Sequence, residues 1–122
     1  MSAPTPDKVL RAKQKGWRRR CPRYRADFPL TATAFRENGY VELQGRCSDI
    51  GHGGMGVVLT PPAQPSEVLS LEFRLSNHPM PLAVRAIVRY RKGFTYGLEF
   101  LGISSDQLST IDEFCATLEI TE

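Results

Sequence analysis

Residues 82–100 read LAVRAIVRYRKGFTYGLEF. Leu82, Val84, Ala86, Val88 and Tyr90 alternate with Arg85, Ile87, Arg89 and Arg91, and a period of two sends neighbouring side chains to opposite faces of a strand. Lys92-Gly93 turns the chain, and Phe94, Tyr96, Leu98 and Phe100 then repeat the pattern. Upstream, Leu69, Leu71, Phe73 and Leu75 alternate with Ser70, Glu72 and Arg74, and Asn77–Pro81 forms the turn between these runs. Met55, Val57 and Leu59 make a strand that Pro61-Pro62 stops. Tyr40 to Cys47 alternates, Asn38-Gly39 is a hairpin signal, and Leu30 to Phe35 opens the series. Pro22 and Pro29 bracket a segment that they hold extended. Six short strands with turns between them predict an all-β domain. Hairpin-length connections favour antiparallel pairing, and closure removes exposed edges, so the expected fold is a six-stranded antiparallel β-barrel.

After Phe100 the period changes. Leu108, Ile111, Phe114, Cys115 and Leu118 have helical spacing, and Ser104 with Gln107 fits a capping box. A C-terminal α-helix should close the core. In-phase spacing also predicts that Phe73, Tyr90, Phe94, Tyr96 and Phe100 lie largely inside, with Cys47 and Cys115, while Arg85, Arg89 and Arg91 form a solvated outer face.

The chain has 122 residues, 41% of them hydrophobic and 24% charged, which suits one small folded domain and excludes collagen and full disorder. No apolar run approaches the ~20 residues of a membrane helix, and the first residues lack the apolar core of a signal peptide. Three cysteines without CxxC spacing argue against a disulfide scaffold or zinc ribbon, so the expectation is an intracellular, cytoplasmic chain with free thiols. Two histidines without Cys-His spacing predict no metal site. No nucleophile–base constellation is present, so no catalytic residue and no enzyme is expected.

Charge is concentrated at one end. Residues 1–25 carry Lys8, Arg11, Lys13, Lys15, Arg18, Arg19, Arg20, Arg23 and Arg25 against Asp7 alone, while the whole chain is only +3. A basic head on an acidic body suits an anionic partner. Residues 1–17 read as a flexible N-terminal arm and 18–122 as a single domain. Two constellations could carry chemistry. In Arg18-Arg19-Arg20-Cys21-Pro22-Arg23, planar guanidinium groups fork onto phosphate or a guanine edge. In Asp49-Ile50-Gly51-His52-Gly53-Gly54, a carboxylate accepts paired N–H donors, and glycines let a flat ring or phosphate approach the backbone.

An RxxxR segment leading into a barrel, followed by an acidic, glycine-rich strand–loop motif, resembles the PilZ domain family, whose members bind the bacterial second messenger cyclic di-GMP. That family's pattern is RxxxR and then D/N-x-S-x-x-G. Arg19 and Arg23 match the arginines, Asp49 the acidic position and Gly54 the final glycine, and the resemblance runs over roughly residues 17–118. It implies that Arg19 and Arg23 bind phosphate and guanine, with Arg18 and Arg20 as helpers, and that Asp49 contacts a guanine edge. Gly51 stands where the family usually has serine. Losing one neutral hydrogen bond costs about 0.5–1.5 kcal/mol, at most about tenfold in affinity. A serine restored at position 51 is therefore expected to raise affinity, provided the backbone there does not need positive φ.

The resemblance implies a receptor that binds cyclic di-GMP, needs no further cofactor and relays the signal to a separate effector protein, as a monomer or a dimer. The alternative is a PilZ-type adaptor that has lost the ligand and kept its protein contacts. A nucleic-acid-binding barrel would need exposed stacking aromatics, and the in-phase aromatics disfavour it. Replacing Arg19 or Arg23 by alanine should hardly alter barrel stability if the basic segment is only an arm. Residues 1–23 should then be mobile without ligand and order on binding. Hydrogen exchange around Arg18–Arg23 is expected to slow when cyclic di-GMP is added, and unchanged exchange at saturating ligand would contradict the clamp.

Overall fold

A computed structural model describes residues 22–60 and 62–118. Six strands form: β1 (Arg23–Arg36), β2 (Gly39–Gly51), β3 (Gly54–Thr60), β4 (Val68–Phe73), β5 (Leu82–Lys92) and β6 (Thr95–Leu101). They close into a barrel in the order β1-β2-β3-β6-β5-β4, with every neighbouring pair antiparallel. One helix, α1 (Ser105–Cys115), follows. The six-stranded barrel and C-terminal helix match the sequence expectation.

The alternating residues fill the barrel. Ala32 and Ala34 on β1, Leu43 on β2, Met55, Val57 and Leu59 on β3, and Leu69 and Leu71 on β4 are essentially inaccessible to solvent. Ser104 caps α1 with both halves of the capping box, its side chain accepting from the Gln107 N–H. Ile111, Phe114 and Cys115 turn into the barrel, and Phe28 bridges helix to sheet, 5.6 Å from the Phe73 ring and 6.0 Å from that of Phe114. The helix therefore covers the barrel end where β1 and β3 begin and β2 and β6 finish.

Three details depart from the alternation. First, β1 starts at Arg23 rather than Leu30. Tyr24, Ala26 and Phe28 pack against the core at the inward positions, so the ladder with β2 runs back to Arg23↔Gly51. Pro29 is tolerated because its only neighbour there is β2; the ladder with β4 begins at Leu30↔Phe73. Second, Phe94 lies in the β5–β6 turn beside Gly93 (φ 65°) and is 65% exposed rather than core. Third, a bulge between Val88 and Tyr90 takes Tyr90 out of phase, leaving it half-buried on the outer surface. Phe73, Tyr96 and Phe100 are buried as the spacing implies, as are Cys47 and Cys115.

Tyr96 is fully buried, and its hydroxyl accepts the N–H of the equally buried Ala63 at 3.1 Å. Tyr96→Phe keeps the ring and strands that donor, at a cost of about 1–3 kcal/mol. Chemical denaturation checks this; an unchanged midpoint would show that the Ala63 N–H finds another partner.

Candidate functional site

At the barrel end covered by α1, Arg23 begins β1 directly opposite Gly51. Its guanidinium is drawn across β2 to Asp49, with Nη1 donating to Oδ1 at 2.7 Å. Arg23 is only 6% exposed, which a cation tolerates when its donors are matched by a carboxylate. The same Oδ1 accepts the backbone N–H of Gly56 at 3.1 Å. A bulge between Cys47 and Asp49 on the β2–β3 ladder aims the carboxylate at that N–H. The strand holding Asp49 is fixed from within: the Cys47 thiol donates to the Asp49 carbonyl, and the Ser48 hydroxyl to the Gly56 carbonyl. Burial pushes the Cys47 thiol far above its ordinary range, so it stays protonated as a donor.

Glycines let these groups close up. A Cβ at position 51 would lie 2.5 Å from the Pro22 carbonyl oxygen and 3.1 Å from Cδ of Arg23. A Cβ at position 56 would lie 2.8 Å from Oδ2 of Asp49, and one at position 54 would overlap the Leu98 carbonyl. Positive φ among the described glycines is confined to Gly39, Gly93 and Gly102, so Gly51 is required by close approach and not by backbone conformation. Serine at 51 passes the φ condition but meets the Pro22 carbonyl, and this reverses the expected gain from Gly51→Ser.

The ladders carry Asp49 into a row across five strands, Arg25↔Asp49↔Gly56↔Gly97↔Tyr90. Residues flanking this row, Val57 and Leu98 among them, are buried, so the row itself faces outward. A Cβ at Gly97 would overlap the Tyr90 ring, which fills the space above that glycine. The Asp49 carboxylate lies over Gly56 in the same way. A carboxylate and an aromatic face thus stand on adjoining glycines of β3 and β6. The carboxylate supplies acceptors for an N–H edge, the ring a stacking face, and the Arg23 guanidinium a fixed positive charge.

Of the residues the sequence singled out, the structure brings together Arg23, Asp49 and Gly51, while Gly54 opens β3 against Leu98 and Glu99 of β6. Arg18, Arg19 and Arg20, with Cys21 and the arm, lie outside the described residues. Arg23 itself is a correction: it is a laddered, buried strand residue, not part of an arm, so its removal will be felt by the barrel. Tyr90, Gly56 and Gly97 were missed as site residues. An aromatic at the end of an inward run, paired across a ladder with glycine, is the pattern that could have marked Tyr90. His52 lies half-exposed next to Gly51, with Nδ1 3.1 Å from Asp112 of α1. Among the described residues no group of three or more His, Cys, Asp or Glu could hold a metal, and no helix is long and apolar enough to cross a membrane.

The sequence model of the PilZ domain family matches residues 18–117, most of the chain. Several solved structures share the fold. The PilZ domain of CeSA from a cellulose-synthesizing bacterium has 15% identity and a TM-score of 0.61, over 78% of this chain and 95% of that one. The PilZ domain of YcgR from Escherichia coli, solved with c-di-GMP, has 19% identity and a TM-score of 0.64, over 83% and 91%. The inhibitor of motility MotI/DgrA from Bacillus subtilis has 23% identity and a TM-score of 0.64, over 82% of this chain and 50% of that one. Comparison with curated proteins gives no match. At such identities the structural likeness speaks for the fold, and the family match speaks for descent. With a closed six-stranded barrel, a C-terminal helix and the acidic glycine-rich motif at the end of β2, the chain belongs to the PilZ domain family.

Proposed function

We propose that this protein is a receptor for cyclic di-GMP, not an enzyme, and that it passes the signal to a separate effector protein. The observation that carries the reading is the assembled Arg23–Asp49 pair beside the glycine floor of β3 and β6. Guanine offers N1–H and N2–H₂ as adjacent donors. Asp49 retains Oδ2 for that edge, Tyr90 supplies a face, and Arg23 supplies charge for a phosphate or a guanine acceptor. Arg19, with Arg18 and Arg20 as helpers, completes the clamp in this reading.

One observation favours the second reading, a ligand-independent adaptor. Oδ1 of Asp49 is already satisfied by Arg23 and by Gly56, and Gly51 lets β1 close fully onto β2. A site so well satisfied internally has less to gain from a ligand.

Calorimetric titration with cyclic di-GMP separates the two: saturable binding supports the receptor, and a folded protein that takes up none supports the adaptor. Arg23→Ala should weaken binding about 10–150-fold, the equivalent of ~1.5–3 kcal/mol for a hydrogen bond to a charged group. It should also lower the unfolding free energy, because Arg23 is buried in β1. Cyclic di-AMP presents an acceptor where guanine has N1–H and should bind at least a hundredfold more weakly, with Asp49→Ala narrowing the gap. Equal affinity of the parent for both dinucleotides would leave Asp49 without a role in recognition.

Gly51→Ser should weaken binding and lower the melting temperature together. Its Cβ must displace the Pro22 carbonyl or Arg23, and forcing atoms into occupied space costs about 1–3 kcal/mol. A rise in affinity with an unchanged melting point would show that β1 moves aside freely and that the close approach is unimportant.

A further inference from the structure

The loop that carries Gly51 is pinned to its surroundings at three places. Its first residue pairs with Arg23, as described. At its far end the Gly53 carbonyl accepts the Phe100 N–H at 2.9 Å. Between them, His52 reaches α1: Nδ1 lies 3.1 and 3.2 Å from the two carboxylate oxygens of Asp112. A cavity of about 420 Å³ opens beneath this contact, lined by Pro22, Tyr24, His52, Asp112, Cys115 and Ala116. Pro22, just ahead of β1, and Tyr24 flank Arg23, and successive side chains of an extended chain point to opposite sides. The β1 start therefore presents Arg23 to Asp49 on one side and Pro22 and Tyr24 to the helix cavity on the other. With a cavity rather than packed side chains at this point, the loop meets α1 through the His52–Asp112 contact, and just ahead of it the Cys115 thiol donates to the Ile50 carbonyl at 3.7 Å.

We infer that His52 and Asp112 are positioning residues for the dinucleotide site, a brace that holds Gly51 against the Arg23 segment and ties ligand affinity to the protonation of His52. The inference rests on the receptor reading above. The contact is an ion pair only when the imidazole carries its second proton, and histidine is the side chain that titrates between pH 5 and 8. A neutral imidazole can still hydrogen-bond the carboxylate, so the brace slackens as pH rises rather than breaking.

Among the described residues, the following groups face His52. From α1 come the Asp112 carboxylate and the Cys115 thiol, which burial and then the Asp112 charge push up to about 11. From β1 comes the Tyr24 phenol, and Arg23 next to it is engaged with Asp49. The loop itself adds only glycines and Ile50. The other histidine, His78, meets the Met80 carbonyl in the β4–β5 turn.

The test is titration calorimetry with cyclic di-GMP at pH 6.0 and pH 8.0 and constant ionic strength, on the parent, Asp112→Asn, His52→Gln and His78→Gln. Both partners are about half-exposed, 53% and 47%, so the effect follows the scale of surface ion pairs. The parent should bind about two- to fivefold more tightly at pH 6.0. That ratio should fall to about one in Asp112→Asn and in His52→Gln and persist in His78→Gln. In the ligand-free protein at pH 6.0, amides of residues 51–54 should exchange faster in Asp112→Asn than in the parent. A parent ratio near one, or a ratio that Asp112→Asn and His52→Gln leave intact, overturns the brace while the receptor reading stands. Absence of binding by the parent at both pH values overturns the receptor reading and with it the role assigned here to His52.

Discussion

Arg23 and Asp49 are 26 residues apart in the sequence and 2.7 Å apart in the barrel, and the geometry of the candidate site follows from bringing them together. A nearly buried guanidinium needs a carboxylate, and a carboxylate lying over the sheet needs donors. The pair and the Gly56 N–H answer both needs at once. Replacing one partner would leave the other poorly matched and partly desolvated, a costlier state than losing both. The constraint reaches the backbone. Position 51 must carry no Cβ for β1 to close on β2, and position 56 none for the carboxylate to lie flat. The glycines of this motif are best understood as close approaches between strands, and only secondarily as sources of loop freedom.

The barrel makes such a pair possible because it fixes both strands independently. Alternating apolar residues on all six strands fill one core, so register is set by burial and not by the site. Against that frame, two bulges do the aiming: one directs Asp49 to Gly56, and the other brings Tyr90 onto the outer surface over Gly97. A site built on strands is already ordered before a ligand arrives, which lowers the entropic cost of binding. The opposing effect is internal satisfaction: every bond the pair makes within the protein is one that a ligand must match or share. Whether such a site serves as receptor or as adaptor depends on which effect is larger.

Much of this was legible in the sequence. The strands of residues 82–100 show as clean alternation because one face of each is buried, and Ser104 with Gln107 marked the helix start because its first turn needs a cap. The motif residues Arg23, Asp49, Gly51 and Gly54 were legible as a pattern. Their pairing was not, since it depends on a ladder between residues distant in sequence and on a bulge that leaves no local signal. Arg23 read as arm because it sits among arginines. Only Tyr24, Ala26 and Phe28, alternating inward ahead of Leu30, show that the strand had already begun. Phe94 and Tyr90 kept the right phase for burial, but a turn and a bulge exposed the first and brought the second to the surface. Gly51 looked like a lost hydroxyl, and the structure gives it a steric reason instead.

The central claim is that the Arg23–Asp49–Gly56 cluster is assembled in advance to receive a guanine dinucleotide. Its most direct test is a nuclear magnetic resonance titration of the folded protein, following the Gly56 amide and the Arg23 side-chain N–H resonances as cyclic di-GMP is added. The account predicts that both shift saturably with one common midpoint, because both groups bond the carboxylate that the ligand approaches. Resonances that stay in place at saturating dinucleotide, or that move with separate midpoints while other regions respond first, would contradict it.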